Sequence, residues 1–168
     1  GMTVLWIFVE ATTLAVAALI YHDRTETALE ATWKYVFICS AGIALAYLGI
    51  LFLGFIYGRE DAANLSFSSL AFMINEASPM YLKIAFLFVV IGFSTKMGLF
   101  PMHTVTIDAH SVAPPPVSAL ISTTLMNVGY LAIFRVYTLF SSSSILPFMN
   151  NVLIISGVLS LMISAGYM

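Results

Sequence analysis

Five long apolar runs follow one another along the chain, and shorter polar segments separate them. An α-helix needs about 20 apolar residues to cross the hydrocarbon core of a bilayer, and each run is close to that length. The pattern predicts an all-α polytopic membrane protein in which residues 1–168 form a single transmembrane region. The predicted helices cover about residues 3–21, 35–57, 84–107, 115–138 and 148–168.

The third predicted helix contains its own interruption. Lys96 lies near the middle of the run, and Gly98 and Pro101 follow it. Proline removes a backbone hydrogen bond and clashes with the preceding turn, so we expect the helix to be broken near residues 98–103. Non-helical backbone at membrane depth is stable only where protein or water covers it. This helix is therefore expected to lie inside the protein.

Polar and proline-rich segments connect the predicted helices. Residues 22–34 are predicted to form a polar connection, and the three prolines at 114–116 predict a rigid turn before the fourth helix. Residues 62–82 are mixed in polarity. An unstructured connection of that length is unusual, so we expect a short amphipathic helix at the membrane interface there.

The composition argues against a soluble protein. Hydrophobic residues make up 61% of the chain and charged residues 8%, whereas an ordinary soluble domain is about 25% charged. The net charge of −2 gives no reason to expect a nucleic-acid partner. The single cysteine, Cys39, lies in an apolar run, so we expect a small buried side chain that forms no intrachain disulfide.

Motifs for cofactor chemistry are missing from the sequence. It has no Walker loop, no dinucleotide-binding glycine pattern, no cysteine set for haem or an iron–sulfur cluster, and no Ser-His-Asp arrangement. We therefore expect no cofactor and no catalytic residue in this chain. Any redox chemistry, with its cofactors, is expected in partner subunits.

Two charged side chains lie well inside the apolar runs, Glu10 in the first and Lys96 in the third, whereas Arg135 closes the fourth run. A charge at mid-bilayer costs about 2.5–3.5 kcal/mol on insertion scales, so such a residue is usually paired, hydrated or functional. Desolvation makes a buried lysine lose its proton more easily, and a nearby carboxylate opposes that loss. If the two side chains approach each other, moving the carboxylate switches the affinity of the lysine for a proton. The two residues are therefore the leading candidates for a gated proton site.

Five other polar residues are further candidates. Lys34 opens the second predicted helix, where it is either a snorkelling lysine or a proton carrier. His103 and His110 lie near the break and titrate near neutral pH, which favours a proton relay or a hydrogen-bonding role. Asp108 and Asn127 are secondary candidates. The alternative to a relay role is a helix cap for Asp108 and a hydrogen bond between helices for Asn127. No third histidine or cysteine lies nearby, so a metal site is not expected.

Four segments, in this order, resemble one known family. They are WIFVEATT at residues 6–13, EATWKY at 30–35, TKMGLFPMHT at 95–104 and DAHSVAPPPVSAL at 108–120. The family is that of the proton-antiporter-like membrane subunits. It includes antiporter-like subunits of respiratory complex I, Mrp-type cation/proton antiporters and membrane subunits of group 4 hydrogenases. The first and third segments are most similar to the hydrogenase component F branch.

The resemblance implies a fold of about fourteen helices with inverted repeats, of which this chain is a fragment. It implies that Glu10 pairs with Lys96 of the broken helix. By their places in the shared motifs, Lys34, His103 and the Asp-Ala-His motif ending at His110 also belong to the site.

The sequence departs from the family pattern at two places. Residues 105–107 are Val, Thr and Ile, where members commonly have Trp-Leu-Pro or a close variant before the Asp-Ala-His motif. Asn127 stands where many members carry a lysine. We expect the break to be shaped differently, and the relay to use water, hydroxyl groups or His110 in place of that lysine.

The resemblance implies a proton-translocating membrane subunit of a respiratory oxidoreductase complex, either NADH-quinone oxidoreductase-like or a membrane-bound hydrogenase. The implied partners are other membrane and peripheral subunits, the lipid bilayer, and protons or Na⁺. The implied location is the bacterial or archaeal cytoplasmic (inner) membrane. One alternative is an Mrp-type Na⁺/H⁺ antiporter subunit. Another is a structural anchor with inert paired charges, against which the cost of two buried charges counts.

Overall fold

A computed structural model describes residues 1–56, 74 and 77–166, and within these residues the fold is built from helices alone. Five stretches are long and apolar enough to cross a membrane, which confirms the expected all-α membrane fold. The third span is broken, as expected. The elements are α1 (Met2–Ile20), α2 (Glu26–Ile56), α3 (Pro79–Met97), α4 (Thr104–Val112), α5 (Pro115–Leu120), a π-helical turn (Ile121–Leu125), α6 (Met126–Phe140) and α7 (Leu146–Gly166).

The second helix extends further into the polar segment than the hydrophobic pattern predicted. α2 begins at Glu26 and not near residue 35. The Thr25 hydroxyl accepts a hydrogen bond from the Ala28 N–H at 3.1 Å and so caps the helix. The first two turns are polar but contain residues with high helix propensity. The change in polarity therefore does not mark the start of the helix.

The bounds of two other helices also differ from the predicted ones. α3 begins at Pro79 instead of residue 84, because proline is well suited to the first turn of a helix. α7 begins at Leu146 instead of residue 148. Most of the interfacial helix predicted at residues 62–82 lies outside the described residues.

The fourth span runs from Pro115 to Phe140 and is not a regular α-helix throughout. Residues Ile121–Leu125 form a π-helical turn between α5 and α6. The hydrophobic pattern predicted one continuous helix, and it contains no signal for this irregularity. Single π turns inside α-helices occur frequently at functional sites.

The break between α3 and α4 keeps its backbone hydrogen bonds satisfied. Gly98 adopts a left-handed conformation with φ of +65°, and its N–H and that of Leu99 are both directed at the Ser94 carbonyl. This is a common way for a helix to end. The Phe100 N–H donates to Ser160 Oγ of α7 at 2.8 Å. Protein groups thus replace the missing helical bonds, as non-helical backbone in a membrane requires.

α2 and α3 cross at very short range because small residues line their contact. A Cβ atom at Gly92 of α3 would lie 2.5 Å from the Gly42 carbonyl oxygen and 2.6 Å from the backbone nitrogen of Ala46. Small residues of this kind let membrane helices approach closely. The close crossing holds the last turn of α3, and with it Lys96, against α2.

Candidate functional site

Lys96 is buried in the interior of the helix bundle. Only 4% of the residue is exposed. Its ammonium group donates to Thr13 Oγ1 of α1 at 2.5 Å and to the Tyr35 hydroxyl of α2 at 3.4 Å. The same nitrogen lies 5.2 Å from the centre of the Tyr35 ring, within the range of a cation–π contact. Three helices therefore meet at this one charged group.

Glu10 of α1 is half-buried and is held by two hydroxyl groups. Thr13 Oγ1 donates to Glu10 Oε2 at 3.2 Å. Ser40 Oγ of α2 donates to Glu10 Oε1 at 2.7 Å. Each carboxylate oxygen thus accepts a hydrogen bond from a neutral donor.

Glu10 and Lys96 are joined through Thr13 and not by a direct ion pair. Glu10 and Lys96, both among the described residues, form no ion pair within 4.0 Å, whereas Lys34 pairs with two other carboxylates. The pairing that the sequence resemblance implied therefore takes a different form here. One hydroxyl group accepts from the ammonium group and donates to the carboxylate.

Helical spacing places these side chains on facing surfaces. Glu10 and Thr13 are three residues apart on α1, and Tyr35 and Cys39 are four apart on α2, so each pair shares one face of its helix. Lys96 lies in the last turn of α3, directly before the break. Cys39 is fully buried in the apolar cluster around Tyr35, as expected for a small buried side chain.

Lys34 lies in a more exposed cluster. Its ammonium group is 2.8 Å from Glu30 Oε1 and 3.7 Å from Asp108 Oδ2, and its side chain is 49% exposed. Two of the predicted site residues, Lys34 and Asp108, are thus brought together and link α2 to α4. Exposed ion pairs contribute about 0–1 kcal/mol, so this link contributes little to stability.

His103 and His110 line a single cavity of about 600 Å³ at the helix break. The cavity lies between α4 and α7, and Ser111, Ser160 and Ser164 add polar groups to its wall. His103 Nδ1 is buried and has no hydrogen-bond partner within the described part of the chain. A buried polar atom of this kind is usually satisfied by an ordered water molecule.

His110 is positioned by the proline-rich turn and the π-helical turn. Its Nδ1 contacts Ser118 Oγ of α5, and its Nε2 lies 3.5 Å from Ser122 Oγ. His110 lies between two of the membrane-spanning segments, and burial lowers the pKa of its imidazole. A neutral imidazole has one donor and one acceptor nitrogen, so it can receive a proton on one side and release another on the opposite side.

The two histidines are too far apart for direct proton exchange. Seven residues at about 1.5 Å each separate them by about 10 Å along the helix. Lys96 is not among the residues that line their cavity. Within residues 1–56, 74 and 77–166, no three histidine, cysteine, aspartate or glutamate side chains cluster as a metal site would require.

Asn127 does not face the buried lysine. Its side chain is exposed on α6, and its amide nitrogen donates to the Thr123 carbonyl of the same fourth span. Hydrogen bonding within one helix is an ordinary use of such a side chain. The proposed relay role of Asn127 therefore stays a prediction.

Three residues around the buried charges were missed by sequence reasoning. Thr13 is three residues after Glu10, and that helical spacing was a signal that it shares the same face. Ser40 and Tyr35 belong to another helix. Nothing in their local sequence indicated that they contact Glu10 and Lys96.

The comparisons with known proteins agree with this architecture. A family model described as NADH:quinone oxidoreductase/Mrp antiporter, TM, matches residues 2–167. The chain is 37% identical over 143 residues to the hydrogenase-4 component F homolog of Methylacidiphilum infernorum, covering 83% of this chain and 30% of the relative. It is 30% identical over 132 residues to NADH-quinone oxidoreductase subunit N of Desulforudis audaxviator, covering 79% of this chain and 25% of the relative.

A solved structure shows the same fold over nearly the whole chain. A chain of the membrane-bound sulfane sulfur reductase, an archaeal respiratory membrane complex, superposes with a TM-score of 0.85 and 25% identity. The match covers 94% of this chain and 31% of that one. This chain thus spans about a quarter to a third of the proteins that it matches. The chain belongs to the NADH:quinone oxidoreductase/Mrp antiporter transmembrane family.

Proposed function

We propose that this chain carries part of the proton path in a proton-translocating membrane subunit of a respiratory oxidoreductase complex. The complex is of the NADH-quinone oxidoreductase or membrane-bound hydrogenase kind and lies in a bacterial or archaeal cytoplasmic membrane. The observation that supports this most is the buried Lys96, which is linked to Glu10 through one hydroxyl group. Two ionisable residues inside a bilayer are costly, and such residues commonly mark ion or proton pathways.

The physical basis of the proposal is the opposition of two effects on one ammonium group. Burial disfavours the charged form of Lys96, and the nearby Glu10 carboxylate favours it. Displacing Glu10 therefore favours release of the lysine proton, and returning it favours uptake. A movement of α1 by a partner subunit is sufficient to produce this change, so the chain needs no cofactor of its own.

The path is proposed to continue through the cavity at the helix break. His103 and His110 both line that cavity, and water is required to bridge the about 10 Å between them. The contacts of His110 with Ser118 and Ser122 hold its ring in place. Lys34 and Asp108 are proposed as the more exposed group through which protons exchange with the surroundings.

The expected partners are the redox and membrane subunits of such a complex. The relatives named above are a hydrogenase-4 component F homolog and an NADH-quinone oxidoreductase subunit N, and the matched structure is a chain of a respiratory membrane complex. Redox cofactors are proposed to belong to those partner subunits, where electron transfer supplies the energy. The family description also names Mrp antiporters, so Na⁺/H⁺ exchange is the alternative to be tested.

The test is proton uptake by inverted membrane vesicles that contain the complete protein in its complex. Glu10→Gln and Lys96→Ala are expected to lower redox-driven uptake at least about tenfold, because positioned proton-transfer groups contribute about 10²–10⁴-fold. Glu26→Gln is the matched control, since Glu26 is exposed at the start of α2. Assembly is checked by the amount of intact complex in each preparation.

Three outcomes separate the possibilities. Loss of uptake in both variants, with the control unchanged, supports the proposal. Wild-type uptake in both assembled variants refutes it and returns Glu10 and Lys96 to a structural role. Transport that proceeds without a redox substrate and requires Na⁺ identifies the antiporter alternative.

A further inference from the structure

The hydroxyl group of Thr13 connects the two buried ionisable groups. Thr13 is fully buried, and its oxygen lies 2.5 Å from Lys96 Nζ and 3.2 Å from Glu10 Oε2. The neighbouring Thr12 differs, since its hydroxyl donates to the Val9 carbonyl of its own helix at 2.6 Å. Threonines in helices commonly bond to their own backbone in this way. Thr13 instead contacts side chains on two helices.

We propose that Thr13 is the proton-conducting residue between Lys96 and Glu10, so that its hydroxyl carries the proton that the two groups exchange. This inference rests on the proposed function and adds a defined route to it. The mere presence of Lys96 and Glu10 does not require such a route. A carboxylate can influence a lysine electrostatically without any group passing a proton between them.

The hydrogen-bonding capacity of a hydroxyl group sets the direction of the route. A charged lysine can only donate, so Thr13 Oγ1 accepts from it and keeps one hydrogen to donate elsewhere. Two acceptors are in reach, Glu10 Oε2 at 3.2 Å and the Val9 carbonyl at 3.5 Å. The Val9 carbonyl already accepts from Thr12 at 2.6 Å. Glu10 is therefore the better acceptor, and the chain of donors runs from Lys96 through Thr13 to Glu10.

The transfer step conserves atoms and charge. An N–H bond of Lys96 breaks as a new O–H bond forms on Thr13 Oγ1, and the original Thr13 O–H bond breaks as one forms on Glu10 Oε2. Lys96 becomes a neutral amine, Glu10 a neutral acid, and Thr13 remains a hydroxyl. Both charges disappear together, which reduces the cost of holding them in a bilayer. Once protonated, Glu10 no longer favours the charged form of Lys96, so the transfer has the same effect on the lysine as displacing the carboxylate.

The hydroxyl must rotate before it can conduct a second proton in the same direction. After the transfer its new hydrogen points toward Lys96, so the donor direction is reversed. The Val9 carbonyl at 3.5 Å is a second acceptor that the hydrogen can face during this rotation. Rotation of a threonine hydroxyl changes no heavy-atom position, so the reset needs no movement of a helix.

The test compares two substitutions at one position in the complete complex. Thr13→Val keeps the branched shape and removes the hydroxyl, and Thr13→Ser keeps the hydroxyl. We expect redox-driven proton uptake to fall at least about tenfold in Thr13→Val and to stay within about twofold of wild type in Thr13→Ser. Thr32→Val is the matched control, because the Thr32 hydroxyl donates to the Ala28 carbonyl of its own helix, at 2.7 Å.

The outcomes distinguish this inference from the proposed function. Wild-type uptake in Thr13→Val, with uptake lost in Glu10→Gln, overturns the role of Thr13 and leaves the proposed function standing. Equal losses of uptake in the valine and serine variants also overturn it. They would show that keeping the hydroxyl in Thr13→Ser does not preserve uptake, so that Thr13 acts through packing. Wild-type uptake in Glu10→Gln overturns the inference, and wild-type uptake in both Glu10→Gln and Lys96→Ala refutes the proposed function as well. If the valine variant does not assemble, Thr13→Cys, a weak donor, replaces it with the same expected loss.

Discussion

The close contact between α2 and α3 makes Gly92 a sensitive position. A Cβ atom there would lie 2.5 Å from the Gly42 carbonyl oxygen and 2.6 Å from both the Cβ and the backbone nitrogen of Ala46. Two of these three atoms belong to the backbone, so no side chain can rotate to make room. An ordinary contact begins at about 3.4 Å, which means that Gly92→Ala separates the helices by about 0.9 Å.

That separation is large compared with the hydrogen bonds of the site. Lys96 is one turn after Gly92, and its bond to the Tyr35 hydroxyl of α2 is already 3.4 Å long. If the helices separate by about 0.9 Å, the distance between Lys96 Nζ and the Tyr35 hydroxyl exceeds the range of a hydrogen bond. Overpacking of this kind costs about 1–3 kcal/mol of unfolding free energy. A displacement of about 1 Å at a reacting group lowers a rate by as much as about 100-fold.

The prediction is checked by two measurements on the same purified complex. Thermal unfolding of the complete protein in detergent reports the loss of stability, and redox-driven uptake by vesicles reports the loss of transport. Gly157→Ala is the control, because nothing in the described chain lies within 4 Å of a Cβ atom there. A Gly92→Ala protein with wild-type melting temperature and uptake would refute the reasoning from helix contact.

Two further predictions concern the helix break. Because burial lowers the pKa of His110, the folded protein binds the imidazole proton less readily than the unfolded chain. The wild type should therefore lose stability relative to His110→Gln as the pH falls below about 6.5, and thermal melts between pH 8 and pH 5 check this. Ser160→Ala removes the acceptor of the Phe100 N–H, which should lower the unfolding free energy by about 1–3 kcal/mol. Melts of this variant beside Ser164→Ala test it, and equal stability of the two would contradict it.

The membrane fold and the position of the break follow from local properties of the sequence. A run of apolar residues must cross the bilayer as a helix, since no water is available to satisfy its backbone. Gly98 and Pro101 interrupt the third run, because a glycine adopts a left-handed conformation without a steric penalty and a proline lacks an N–H. Both features depend on neighbouring residues alone, so they were predictable without knowledge of the packing.

The helix bounds were less predictable, because polarity and helicity are separate properties. α2 begins at Glu26 in a segment whose polarity suggested a connection. Helix propensity and the Thr25 cap decide where the helix starts, and hydrophobicity decides only which part of it suits a bilayer. The hydrophobic pattern does not predict the π-helical turn at Ile121–Leu125, because its period is that of a regular helix.

The sequence by itself determined which charges are exceptional. Glu10 and Lys96 stand out because a charge inside an apolar run has a high cost that does not depend on its neighbours. Only the tertiary structure decided how they meet, namely through the Thr13 hydroxyl and not directly. The contact joins residues 83 positions apart. It forms only when the relative positions of the crossing helices are correct to within about 1 Å. Hydropathy and spacing along one helix carry no information at that scale, because the distance between helices is set by the side chains packed between them.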